Sequence, residues 1–494
     1  MSLFNITILR KAISDSLPQN DQSNVDAEPR FTYVPPSHAK ALNPEHTIVE
    51  GMRGAGKSHW WNALTSLDQR KYLQKGFPES GISDNIIVEL GFGTGASLSP
   101  KSNWPSKDVL KSLLLKGFSP RDIWKAVLAT CANLDLPDDL INAKWTQKIT
   151  WVSNNPEDFE ELLYQKDQEF FNSDKTLLIL FDALDRLADD WSEIRPLAKA
   201  LFQLGLDVRS TKKIRFKIFV RPDMLEDKTI LAFPDSSKLI ARKVTLSWQR
   251  VDLYSLFYQC VSNDINGGKH FREVCKEYFH LTWKKSEGGV WILPNELRYD
   301  DELQKNIFHQ IAGPAMAGGL HGHKRGFPYT WLPNHLIDGK EQVSPRSFSA
   351  ALRHAAEHNH IPGWDFALSY TGIKTGVQQA SKIRVWEMTT EDYPWVADVM
   401  KPLEGLMVPC YDSEIFKQWR IHETLTSMRR SSYLNDNKVV KLLPPNLDEG
   451  NKGILADLED LGIITHLWDG RVQMPDVYRI SFKLGRKGGV KPLK

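Results

Sequence analysis

A short hydrophobic run, HTIVE at 46–50, leads straight into GMRGAGKS at 51–58, and this junction limits the fold more than any other stretch of the chain. The eight residues satisfy GxxxxGK[ST] through Gly51, Gly56, Lys57 and Ser58. Such a loop needs a strand before it and a helix after it. Its glycines let backbone N–H groups turn inward, and the helix N-terminus adds a field that favours phosphate. HTIVE supplies the strand and SHWWNALTSL the helix. Lys57 then reaches the β and γ phosphates of a nucleotide, and the Ser58 hydroxyl ligates Mg²⁺. Arg53, Gly54, Ala55 and His59 complete the expected cradle. A glycine-rich turn carrying a surface lysine is the alternative reading.

The surroundings repeat the pattern. Apolar runs recur at NIIVEL (85–90), TLLILF (176–181), RFKIFV (215–220) and KLIARKVTL (238–246). Between them lie KDVLKSLLLKGF, PRDIWKAVLATCANL and EIRPLAKALFQLGL, with apolar residues at three- and four-residue spacing. Strands alternating with amphipathic helices require crossover connections, hence a mainly parallel sheet covered on both faces. The predicted fold is therefore α/β, a doubly wound parallel sheet forming a P-loop core over 46–260.

At 494 residues the chain is too long for one ordinary core. Residues 1–45, rich in Asp, Asn, Ser, Gln and Pro, read as an N-terminal arm. Residues 261–360 read as a helical lid, with SPRSFSAALRHAAEH opened by Ser344 and Pro345 at cap and first-turn positions. Residues 361–494 end in ILADLEDLGIITHLWDGRVQMPDVYRISFKL, a helix followed by two short β-like runs around Asp469 and Gly470. That is the pattern of a C-terminal winged-helix-like domain.

Two strand ends carry charge. TLLILF runs into Asp182, where a carboxylate can hold hydrated Mg²⁺, and three residues on lies Asp185, placed to orient or deprotonate a water. A cap or surface acid is the alternative for Asp185. RFKIFVRPDM puts Arg221 at the carboxyl end of a neighbouring strand, the rim on which such sheets place ligand contacts. Its alternative is an ion pair with Asp182 or Asp185. Arg346 opens a helix outside the core, from which a lid brings a guanidinium onto nucleotide; a surface arginine is the alternative.

In that order GMRGAGKS, DALDR, KIFVRPDM and SPRSF resemble P-loop ATPases of the bacterial STAND and AAA+ groups, some of which carry a winged helix behind the ATPase core. The resemblance covers about 46–360 and implies Lys57 and Ser58 as the Walker A pair, Asp182 as the Walker B carboxylate and Asp185 as the second acid. It also implies Arg221 at the sensor 1 position and Arg346 at sensor 2. AAA+ enzymes usually place Glu directly after the Walker B Asp; here that position is Ala183, which implies slow turnover. Arg186, Arg209 and Arg242 are equal candidates for an arginine finger. The resemblance further implies ATP and Mg²⁺ as cofactors, homo-oligomers, an effector protein as partner, and service to mobile elements or antiviral defence. No NKxD motif points to GTP and no LSGGQ-like signature to an ABC ATPase.

Composition adds limits. A formal charge of +2 does not advertise nucleic-acid binding by the whole chain, so DNA is expected only through the C-terminal module. Four widely spaced cysteines without a CxxC pair argue against a disulfide framework or a cysteine zinc site. No run approaches the roughly 18 apolar residues of a membrane span, and no signal peptide is legible, so a cytoplasmic protein without membrane contact is expected. His321 and His323 in HGHKRG lack further ligands at a recognised spacing and read as a polar loop. LGFGTGAS (90–97) is not GxGxxG, and Trp60 and Trp61 read as packing of the first helix. The basic terminal GRKGGVKPLK reads equally as a phosphate-contacting tail or a solvated end.

Overall fold

The computed structural model describes residues 2–18, 28–93, 102–188, 191–286, 288–318, 322–433 and 443–486. By contacts the chain forms two units. Pro36–Ser247 make one; Met1–Pro35 and Trp248–Lys494 together make the other.

The 36–247 unit is built on strands β1 (Ile48–Glu50), β2 (Ile86–Phe92), β3 (Thr176–Phe181), β4 (Ile214–Val220) and β5 (Val244–Thr245). They form one parallel sheet in the order β2-β3-β4-β1-β5. β3 is buried from Leu177 to Phe181, as a central strand covered on both faces must be. The helices Pro120–Cys131 and Trp191–Val208 bury their apolar stripes in the same core, where the Trp124 indole donates to the Leu197 carbonyl at 2.9 Å. The doubly wound α/β fold expected from the alternating pattern is present.

One of the five expected strands shrinks. Residues Ser236–Ile240 form a helical turn that takes in the start of KLIARKVTL, and only Val244–Thr245 pair with β1. β1 is itself three residues long, so the sheet edge offers little to pair with.

The second unit is mainly helical, and it departs from the expected segmentation. The described residues among 1–45 divide between the two units. The helix α1 (Ile6–Ser16), capped by Asn5, buries Leu9, Ala12 and Ile13 in this unit, and Phe4 stacks on Phe271 at 5.5 Å. The helix α2 (Pro36–Leu42) belongs instead to the α/β unit. Averaging composition over 45 residues hid two short helices behind the polar stretch between them. The boundary expected at 260 falls at Ser247/Trp248, because the following helix, Arg250–Ser262, is buried nearly all round.

The expected lid and C-terminal module share this unit. The helices Pro345–Glu357 and Tyr370–Glu387 pack so closely that a Cβ at Gly376 would collide with the Ala351 carbonyl, and one at Gly372 would come within 2.9 Å of the Ala355 carbonyl. Farther on, the helix Gly450–Asp460 leads into antiparallel Thr465–His466 and Val472–Gln473, joined through a turn at Gly470. The helix-plus-hairpin pattern read from the sequence is therefore there.

Candidate functional site

β1 ends at Glu50, and the next amide, Gly51 N–H, donates to the Val220 carbonyl of β4 at 3.0 Å. The chain then turns through Met52–Gly56 into α3 (Lys57–Thr65). Gly54 and Gly56 take φ of +75° and +109°, conformations that a side chain disfavours. Gly56 caps α3 without any side-chain acceptor. The first-turn amides of a helix have no partners within it, so this end is suited to an anion.

Lys57 lies over the loop, its Nζ donating to the carbonyls of Gly51 (2.5 Å) and Met52 (3.1 Å). Burial pulls its pKa down to about 8, an effect that nearby Asp182 opposes and Arg221 reinforces. The Ser58 hydroxyl donates to Asp182 Oδ2 at 3.0 Å. Asp182 is 3% exposed, and its amide donates to the Phe92 carbonyl of β2. Burial raises its pKa, against the pull of the Lys57 charge. A hydroxyl and a carboxylate side by side are the hard oxygen donors Mg²⁺ accepts, with water and phosphate completing its shell. The residues fit such an ion.

Beyond Asp182 the chain bends sharply. Ala183 sits at φ +56°, and Leu184–Arg186 form one 3₁₀ turn that carries Asp185 back toward the sheet edge. Asp185 Oδ2 lies 3.0 Å from Arg221 Nη1. Arg221, 8% exposed, also grips Asp223 with two contacts, Nε to Oδ1 at 3.1 Å and Nη2 to Oδ2 at 2.9 Å. The order β3-β4-β1 explains the convergence. β4 lies between the strand leading into the glycine loop and the strand ending at Asp182, so their carboxyl ends deliver Lys57, Ser58, Asp182, Asp185 and Arg221 to one edge.

Arg346 is not part of this group. It lies in the helical unit, where Nη1 pairs with Glu387 Oε1 at 2.9 Å between the two close-packed helices. His59 meets the Trp60 ring at 4.8 Å, and burial pulls its pKa down to about 4. Trp60 is 1% exposed and donates from Nε1 to His38 Nδ1 at 2.9 Å, which agrees with packing of α3. Trp61 is half-buried against Gly93.

His321 and the His323 side chain lie outside the described residues, as do 94–97 of the glycine-rich stretch and 487–494 of the basic tail. Among the described residues no group of three or more His, Cys, Asp or Glu is placed to hold a metal, and no helix is long and apolar enough to cross a membrane.

Three polar residues of this unit escaped sequence reading. Asp223 looks like an ordinary acid after a proline. Glu50, 7% exposed, accepts from Lys243 (2.8 Å) and Thr245 (2.6 Å) and ties β5 to β1. Lys217, fully buried in β4, donates to the carbonyls of Ala41, Asn43 and His46, fixing the segment that leads into β1. The one available signal was Lys217 set between Phe216 and Ile218 inside a strand.

No protein-family model matches the sequence, and no curated protein matches it. Among solved structures, the chain is similar to Cdc6p from Pyrobaculum aerophilum, at 10% identity over 91% of this chain and 93% of that one, with a TM-score of 0.29. It is also similar to the ORC2 protein of Aeropyrum pernix, described as ADPNP and ADP complexes, at 11% identity over the same shares, with a TM-score of 0.31. At these scores the likenesses carry no weight beside the geometry.

Proposed function

We propose that this chain is an ATP-binding, slowly hydrolysing switch of the AAA+ kind. One observation carries the reading: Lys57, Ser58, Asp182, Asp185 and Arg221 converge on the carboxyl edge of one parallel sheet, beside a helix N-terminus left open by Gly56.

Lys57 turns its ammonium from the Gly51 and Met52 carbonyls to the β and γ phosphates, over the amides of Arg53, Gly54, Ala55 and Gly56. Ser58 and Asp182 would hold Mg²⁺, which when bound would offset the negative charge of the phosphates. Asp185 orients the attacking water or takes its proton. Arg221 reads the terminal phosphate. With Ala183 directly after Asp182, no carboxylate stands at the position where fast hydrolases of this kind place one, which supports slow turnover.

Calorimetric titration of Mg-ATP into wild type and Lys57→Ala, with phosphate release measured for wild type and Asp185→Ala, tests this. Binding lost in the first variant and turnover lost in the second are expected. Equal binding in wild type and Lys57→Ala, together with equal turnover in wild type and Asp185→Ala, would sink the assignment.

Homo-oligomerisation and an effector partner are part of the proposed switch; light scattering with and without Mg-ATP tests the first. A DNA-directed role for the C-terminal module is a second reading, favoured by its helix and hairpin. The charge of that helix speaks less for it, since its exposed positions include Lys452 but also Asp460, with Glu459 half-exposed. A salt-sensitive gel shift at about 50 mM salt would support DNA binding, and its absence there would remove it.

A further inference from the structure

The proposed site contains one acid that the roles above leave unused. Asp223 follows Arg221 by two residues across Pro222, and Pro222 starts the short helix Pro222–Glu226 with Arg221 as its extended cap (φ −89°, ψ 153°). That turn folds the Asp223 carboxylate back onto the guanidinium of its own strand end. The pair is bidentate, while the pairing to Asp185 uses one Nη1 contact and joins residues 36 apart in the chain. All three side chains are largely buried, at 10% exposure for Arg221, 19% for Asp185 and 18% for Asp223.

We infer that Asp223 is a positioning residue that anchors Arg221 so that its Nη1 edge can pass between Asp185 and the γ phosphate of a nucleoside triphosphate. The inference rests on the nucleotide reading above and adds a form of regulation to it. A planar guanidinium with two edges can keep one edge on a fixed carboxylate while the other exchanges partners. The local, two-contact pair is the one that persists; the single contact to Asp185 is the one that gives way.

In the absence of triphosphate, Arg221 occupies Asp185 and holds back the acid proposed to act on water. With a γ phosphate, Arg221 turns its Nη1 edge to phosphate and releases Asp185. A diphosphate offers no γ oxygen, so Asp185 stays engaged. The same contact then both reports the triphosphate and withholds turnover without it.

This makes the two acids opposite in sign. Asp223→Asn weakens the anchor and should lower the preference for triphosphate over diphosphate. Asp185→Asn removes the competitor and should raise it. Titration calorimetry with ATPγS and with ADP, each with Mg²⁺, reads the ratio of dissociation constants without depending on hydrolysis. The expected outcome is about a tenfold fall in triphosphate preference for Asp223→Asn with ADP affinity within about twofold of wild type, recovery toward wild type in Asp223→Glu, and a several-fold rise in Asp185→Asn.

An ADP affinity near wild type also reports an intact fold in each variant. Equal weakening of both nucleotides in Asp223→Asn, an unchanged ratio, or the same direction of change in both variants would overturn the role of Asp223 while leaving nucleotide binding standing. Wild type that binds neither nucleotide would overturn the underlying reading as well.

Discussion

Arg221 and Arg346 are two arginines that the sequence leads one to expect on the same phosphate, and the two units treat them in opposite ways. In the α/β unit Arg221 ends a strand and is enclosed by Asp185 and Asp223, so its charge is held at the sheet edge. In the helical unit Arg346 starts a helix and reaches across to Glu387, with its side chain 43% exposed. The contrast lies in how each architecture uses polar groups. A parallel sheet gathers strand ends, and whatever they carry, at one edge. Packed helices place polar residues along seams and caps, where ion pairs join neighbours.

The sharpest way to break the contrast is to disable each unit separately. Lys57→Ala removes the ammonium proposed to hold phosphate and should weaken Mg-ATP binding by about a hundredfold or more in calorimetry. Gly376→Leu attacks the other unit. With no room beside the Ala351 carbonyl, it should lower stability by about 3 kcal/mol, read by denaturant unfolding, while Mg-ATP affinity stays within about twofold. If Gly376→Leu abolished nucleotide binding, the separation of roles between the units would fail.

A pH series gives a smaller effect. Burial lowers the Lys57 pKa to about 8, below its unfolded value of 10.5, so between those values the unfolded chain binds more protons at this group. The contribution of Lys57 to folding stability therefore rises with pH across that window. Phosphate binding needs the ammonium, so it goes the other way: Mg-ATP affinity should fall as pH rises through about 8, approaching tenfold per pH unit above it, with proton uptake on binding. An affinity flat from pH 7 to pH 9.5 would show that Lys57 either keeps its proton across that range or does not meet phosphate.

The smallest expected effect is that of Arg346→Ala. An ion pair with one partly exposed member contributes about 0.5 kcal/mol, so thermal melting should shift little and Mg-ATP affinity should not change. A tenfold loss of affinity would instead give Arg346 the sensing role expected from its place in the sequence.

Much of the α/β unit was legible. Loop, strand and helix follow one another at 46–65 as the motif requires, and Asp182 and Arg221 stood out as charged residues ending apolar strands. Local pattern suffices there because a buried strand is mostly apolar, so a charge at its end is conspicuous. Asp223 was missed because an acid after a proline at a helix start is what an ordinary cap looks like. The helix α1 was missed because its apolar face is short and finds its cover in residues more than two hundred positions away, among them Gly267, where an added Cβ would run into Ala12. The boundary near 248 was missed because it coincides with no change of composition.

By itself the sequence determined the glycine loop, the run of alternating strands and helices, and the chemical types at the strand ends, since all of these are periodic or local. Only the tertiary structure decided which of those charges meet. β4 enters the sheet between β3 and β1, and that strand order brings Asp182, Asp185 and Arg221 beside Lys57. The pairing of Arg346 with Glu387, 41 residues on, depends on two helices approaching as closely as glycine and alanine allow. Contacts between residues distant in the chain are set by packing of whole elements, and no local spacing encodes them.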